Sequence, residues 1–168
     1  MEKVAQWIAI PLGILASIST IIMVLGITAE VVYRNIQGRS IPGVLELSET
    51  ALVAAVFFGL AYAGTSGAHI AVDLLVTRIP RRLARWVMVC AWALSIAILG
   101  WLTVASTERA LDSLARGEVR MGLVNWPLWP ARWIIVIGFA ALLFVAVVNI
   151  LRLLQDKPIM GAREEGQR

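Results

Sequence analysis

One cysteine, one histidine and a charged fraction of only 15% leave this 168-residue chain little from which to build a catalytic centre. The lone Cys90 excludes an internal disulfide and a cysteine-rich metal site. The lone His69 has Asp73 four residues on, a pair that can orient an imidazole or offer two metal ligands. No second histidine exists to complete a zinc site or a membrane haem pair. No glycine-rich phosphate loop is present, and a nucleophile, base and orienting group cannot be assembled. The chain is therefore not expected to be an enzyme and no cofactor is expected, so His69 and Asp73 read as structural or partner-facing. The 15 Lys and Arg give a pI near 10.0, but they are spread over termini and loops without a basic tract, which argues against nucleic acid.

What is abundant is apolar: 60% hydrophobic residues and a mean hydropathy of +0.82. Four windows carry no charged side chain: Trp7 to Ala29, Thr50 to Ala68, Trp86 to Thr107 and Trp133 to Leu151. At roughly 1.5 Å per residue each can cross a hydrocarbon core about 30 Å thick. Lipid offers backbone groups no partner, and four segments are too few strands for a closed barrel, so the windows must be helices. The expected fold is an all-α membrane protein in one compact domain, residues 1–168. Its spans are expected at about 7–32, 44–68, 83–107 with an extension to 116, and 129–153, with a polar cytoplasmic tail over 154–168. Ile27-Thr28-Ala29 resembles a signal-peptide cleavage site. The preceding apolar run, however, is much longer than the usual stretch of about 7 to 15 residues, so the segment reads as a mature helix. With both termini in the cytoplasm, nine Lys and Arg fall inside (Lys3, Arg78, Arg81, Arg82, Arg85, Arg152, Lys157, Arg163, Arg168) against six outside, which favours that orientation.

The connections differ in character. Gly38, Pro42 and Gly43 break the first loop, and the second helix is expected to start near Val44. His69, Asp73 and Thr77 recur every four residues before Pro80, which predicts a short interfacial helix between spans 2 and 3. Ser106 to Arg116 keeps good helix formers, pairs Asp112 with Arg116 at i,i+4 and ends at Gly117, so the third helix is expected to be long. Trp126, Trp129 and Trp133 around Pro127 and Pro130 form an aromatic belt at the membrane boundary, with Pro130 near the first turn of the fourth helix.

The second helix carries the most information. Ala51, Ala55, Gly59, Ala63 and Gly67 recur at a spacing of four and make a groove where another helix can approach closely, either within the bundle or from another subunit. Glu46 and Glu49 lie on a different side of its first turn, near the boundary. They suit a capping or solvated role, or a polar contact to another subunit, with a proton or cation site as a third reading. Glu30 and Arg34 at i,i+4 suit a boundary ion pair of small weight.

Three ordered runs carry a resemblance: Pro42-Gly43-Val44-Leu45-Glu46, then Phe57-Phe58-Gly59-Leu60-Ala61-Tyr62-Ala63, then Gly67-Ala68-His69-Ile70-Ala71-Val72-Asp73. With Trp129-Pro130 and Gly138 of the last helix, they make the chain resemble the small membrane subunit, DctQ-type, of tripartite ATP-independent periplasmic (TRAP) transporters over essentially its full length. One departure is Val136, where such subunits often carry proline. The resemblance implies a non-catalytic scaffold, multi-pass in the bacterial inner membrane. Its partners would be a large multi-span permease and a soluble periplasmic substrate-binding protein, in sodium-driven secondary uptake of a carboxylate-bearing solute. Under it Glu46, Glu49, Ala55, Gly59, Ala63, His69, Asp73, Trp129, Pro130 and Gly138 are partner-interface or family-motif candidates. Arg116 and Arg120 are candidates for docking the binding protein. The alternatives are an autonomous four-span proton-coupled exporter, which would want an acid deep in a helix, and a membrane enzyme or haem protein.

Overall fold

The computed structural model describes residues 2–65, 81–122 and 124–155. They form α1 (Glu2–Gln37), α2 (Val44–Thr65), α3 (Arg81–Ala115), a two-stranded hairpin of β1 (Val119–Arg120) and β2 (Trp126–Pro127), and α4 (Trp129–Leu154). Each of the four helices contains a stretch long and apolar enough to span a membrane. Gly67, His69, Asp73, the expected interfacial helix and residues 156–168 of the tail lie outside the described residues.

The helix ends follow from local chemistry. α1 runs past its expected limit because Glu30 and Arg34 bond along the helix at 2.7 Å. It stops at Gly38, whose φ of 68° lets its N–H close back on the Arg34 carbonyl at 2.9 Å. Gly43, at φ 86°, precedes α2 and accepts from the Leu47 N–H at 3.0 Å, so α2 starts at Val44 as expected. α3 ends in a Schellman motif: Glu118 N–H reaches Ser113 C=O at 3.0 Å and Gly117 N–H reaches Leu114 C=O at 3.3 Å, with Gly117 at φ 57°. Pro130 sits in the first turn of α4, where its missing N–H costs no helical bond. α1 and α3, of 36 and 35 residues, would each reach about 50 Å at 1.5 Å per residue, so both tilt or project beyond the hydrocarbon.

Packing departs from the expected compact bundle. The helices stand in an open row, α1–α2–α4–α3, with α1 only grazing α4. α1 and α2 are antiparallel: a Cβ on Gly13 would meet the Tyr62 ring, one on Gly59 would meet Ala16 and one on Gly26 would meet the Ser48 hydroxyl. α2 and α4 are parallel: Gly138 faces Phe57, and Gly64 faces Leu142 and Val145. Phe57 and Phe139 add an edge-to-face contact at 5.1 Å.

Each outer helix buries one stripe. On α1 the least exposed of the described side chains are Ala9, Leu12, Gly13, Ala16, Ser19, Met23, Gly26, Glu30 and Tyr33, close to a three-four alternation. On α3 Trp92, Ile96, Leu99, Thr103, Ser106, Ala110 and Ser113 keep that spacing within a broader half-buried band that also holds Ser95, Gly100, Ala105 and Thr107. This is the period of left-handed helix pairing. The remaining surface is apolar and open, Trp7 being 82% and Trp101 78% exposed. Lipid tails are as apolar as leucine, so nothing drives the row to close on itself; close backbone approach at small residues holds the neighbours together.

Glu30 does more than pair along its helix. While Oε1 accepts from Arg34, Oε2 accepts the Ile41 N–H at 2.8 Å, which ties the α1–α2 loop back onto α1. Glu30→Ala is expected to raise hydrogen exchange at the Ile41 amide and to lower the melting temperature of the purified chain. Glu30→Gln, which keeps an acceptor, should do both less.

Candidate partner interface

The end of the row that carries the α1–α2 loop also carries the hairpin between α3 and α4, and together they form a polar cap. Two-residue strands are short, but their pairing is regular: Val119 opposes Pro127 and Arg120 opposes Trp126, and the Leu128 N–H adds a bond to the Glu118 carbonyl at 3.0 Å. The hairpin is pinned to the first two turns of α2. Arg120 forms an ion pair with Glu49, and the Trp126 indole N–H donates to the Thr50 hydroxyl at 3.1 Å. On the other side Arg132, in the first turn of α4, pairs with Glu118 at 2.7 Å and donates to the Arg109 carbonyl of α3 at 3.0 Å. The cap thus joins α2, α3 and α4 through their ends.

Glu46 lies inside this cap rather than in solvent. It is 6% exposed, its Oε2 has no hydrogen-bond partner, and a Cβ on Gly122 would stand 2.5 Å from its Oε1. The hairpin backbone therefore passes close over the carboxylate, and a side chain at 122 would make the Glu46 carboxylate shift. Glu49 is half-buried and committed to Arg120. Both side chains of that pair are substantially exposed, so its worth is about 0–1 kcal/mol. The neutral Trp126–Thr50 bond is better shielded. Trp126→Phe is expected to cost about 1 kcal/mol in a double-mutant cycle with Thr50→Ala, read from melting in detergent.

The other sequence candidates separate by depth. Ala55, Gly59 and Ala63 are half-buried. Ala51, Ala54, Ala61 and Gly64 are buried on the flanks that α2 presents to α1 and α4. Gly59 faces Ala16 within the chain, and the outward stripe of α2 is Leu45, Leu52, Val56 and Leu60. Gly138 is buried at the closest approach of α2 and α4. Trp129 is exposed and Pro130 half-buried at the start of α4. Arg116 projects from the end of α3, 73% exposed, in a two-pronged pair with Asp112 at 3.0 and 2.5 Å. Arg120, tied to Glu49, is the less free of the two arginines.

Two contributors, Asn149 and Arg132, were not singled out as contacts in the sequence, and a third, Glu30, was read only in part. Glu30 gave a signal only as half of an i,i+4 pair, because its bond to Ile41 spans a loop. Asn149, 1% exposed and engaged within the fold, is a lone amide between Val148 and Ile150 inside a charge-free window, a pattern that marks a buried polar contact. Arg132 reads in sequence as one more boundary charge, and only the antiparallel α3–α4 pairing places it on Arg109.

The cap's ion pairs, Arg120–Glu49 and Arg132–Glu118, lie at helix ends, and the four apolar windows hold no charged group. Among the described residues no cluster of three or more His, Cys, Asp or Glu could hold a metal ion. The family model described as "Tripartite ATP-independent periplasmic transporters, DctQ component" matches residues 23–156, from the middle of α1 to just past the end of α4. Comparison with curated proteins and with solved structures found no match in either.

Proposed function

The chain belongs to the DctQ component family of tripartite ATP-independent periplasmic transporters, and from that premise we propose that it is the fixed membrane scaffold of a large multi-span permease. Membership makes it a multi-pass transport subunit of a family that is not an enzyme family. The observation that carries the scaffold reading is the open row. Two long outer helices each use one stripe on their neighbours and leave broad apolar faces, wider than a self-contained bundle needs. A carrier acting alone would instead place charges or broken helices near the midplane.

In this reading the system works in the bacterial inner membrane, takes up a carboxylate-bearing solute with sodium, and receives it from a soluble periplasmic binding protein. The permease holds the solute and ion sites. This chain holds the permease in register. Tagging the chain and isolating it in mild detergent tests the pairing: a large multi-span protein in fixed ratio is expected, and recovery of the chain alone would remove the scaffold reading.

The polar cap, on the periplasmic side in this reading, is the docking surface for the binding protein. Arg116 is an exposed cation at its rim, its side chain 73% accessible. Arg116→Glu is expected to raise the binding-protein concentration needed for half-maximal uptake, with a wild-type difference that shrinks in high salt. An unchanged concentration dependence would exclude Arg116 from docking.

A further inference from the structure

At the cap end, a cleft of about 340 Å³ opens between α3 and α4, lined by Ala105, Ser106, Arg109, Arg132 and Ile135. Its placement is amphipathic. Arg109 stands just beyond the charge-free window that ends at Thr107, and Arg132 just before the one that begins at Trp133. Ala105 and Ile135 belong to those windows. One end of the cleft is therefore at headgroup depth and the other in hydrocarbon, at the level where exposed Trp129 marks the boundary.

The charges are unequal in commitment. Arg132 is held by Glu118 at 2.7 Å and by the Arg109 carbonyl at 3.0 Å, so its guanidinium is fixed in place. The Arg109 guanidinium has no partner among the described residues. It also borders the surface that carries Glu108 and Asp112, and neither carboxylate pairs with it. Within the cleft lining and the carboxylate that holds Arg132, two guanidiniums and one carboxylate leave a single positive charge, Glu108 lying on the neighbouring surface, with the Ser106 hydroxyl as a further donor.

We propose that this cleft binds a membrane phospholipid, Arg109 and Arg132 holding the phosphodiester and Ala105 and Ile135 seating the start of an acyl chain. A phosphodiester carries one negative charge, which matches the excess. The planar fork of arginine suits its oxygens better than an ammonium would. A free phosphate would satisfy the arginines but leave the apolar floor unused. An acidic side chain from a partner would likewise leave it unused. The proposal does not depend on the scaffold reading, only on the chain's lying in a membrane.

Native mass spectrometry of the full chain tests it with three probes: phosphatidylglycerol, diacylglycerol with the same chains, and inorganic phosphate. Phosphatidylglycerol should be retained, diacylglycerol lost, and millimolar phosphate should not displace the lipid. Arg109→Gln should lower retention roughly tenfold and Arg109→Lys by less. If Arg109→Gln fails to fold, Ser106→Ala is the second variant, with retention expected to fall about twofold. Any of three results would overturn the proposal. These are equal retention of diacylglycerol, displacement by phosphate, and full retention in the variant that folds.

Discussion

Gly138→Ala is expected to lower the melting temperature of the purified chain sharply, and Gly138→Leu to prevent folding. A Cβ at 138 would lie 2.7 Å from the Phe57 Cβ and 2.9 Å from the Phe57 carbonyl oxygen. The obstacle is backbone and the first side-chain carbon, neither of which can swing aside as a side-chain tip can, so α2 and α4 must separate. Overpacking of this kind costs about 1–3 kcal/mol for one methyl. Leucine asks for several times that volume. The matched control is Gly59→Ala, whose Cβ would rest at 3.8 Å from Ala16, an ordinary contact, and which should melt near wild type. α2 and α4 are the middle pair of the row, so their separation would also detach α1 from α3. Equal melting of Gly138→Ala and wild type would mean that the two helices do not cross at this point.

Removing this chain from cells while keeping the large permease should abolish uptake, the largest functional effect the scaffold reading entails. A permease that moves part of itself across the bilayer needs a part that does not move. The open faces of α1 and α3 are the surfaces proposed to hold that fixed part. Wild-type chain supplied from a plasmid should restore uptake and Gly138→Leu should not, while Gly59→Ala restores it. Uptake that continues undiminished in the deletion strain would make the subunit dispensable and end the reading.

How much of this was legible in sequence divides along physical lines. The four spans were, because a charge-free run of that length has one stable form in lipid. The turns at Gly38, Gly43 and Gly117 were too, since each glycine takes a positive φ that other residues resist. The small-residue row through Gly59 was legible as a groove, but spacing of four says nothing of what fills it, and the tighter approaches fall at Gly64 and Gly138. The order of the row was not legible, because α1 and α3 differ from the middle helices only in how much of their apolar surface stays open. The hairpin escaped notice because two-residue strands are too short to show alternation. Glu46 read as a boundary carboxylate on composition alone. Its burial depends on Gly122, far along the chain, laying backbone over it.

The most direct measurement is solute flux into vesicles of defined composition under a sodium gradient. Vesicles holding this chain alone should show none, and those that also hold the permease and the binding protein should accumulate solute. Accumulation in vesicles that contain only this chain would contradict the account, since it would require a pathway through four apolar windows that carry no charged group.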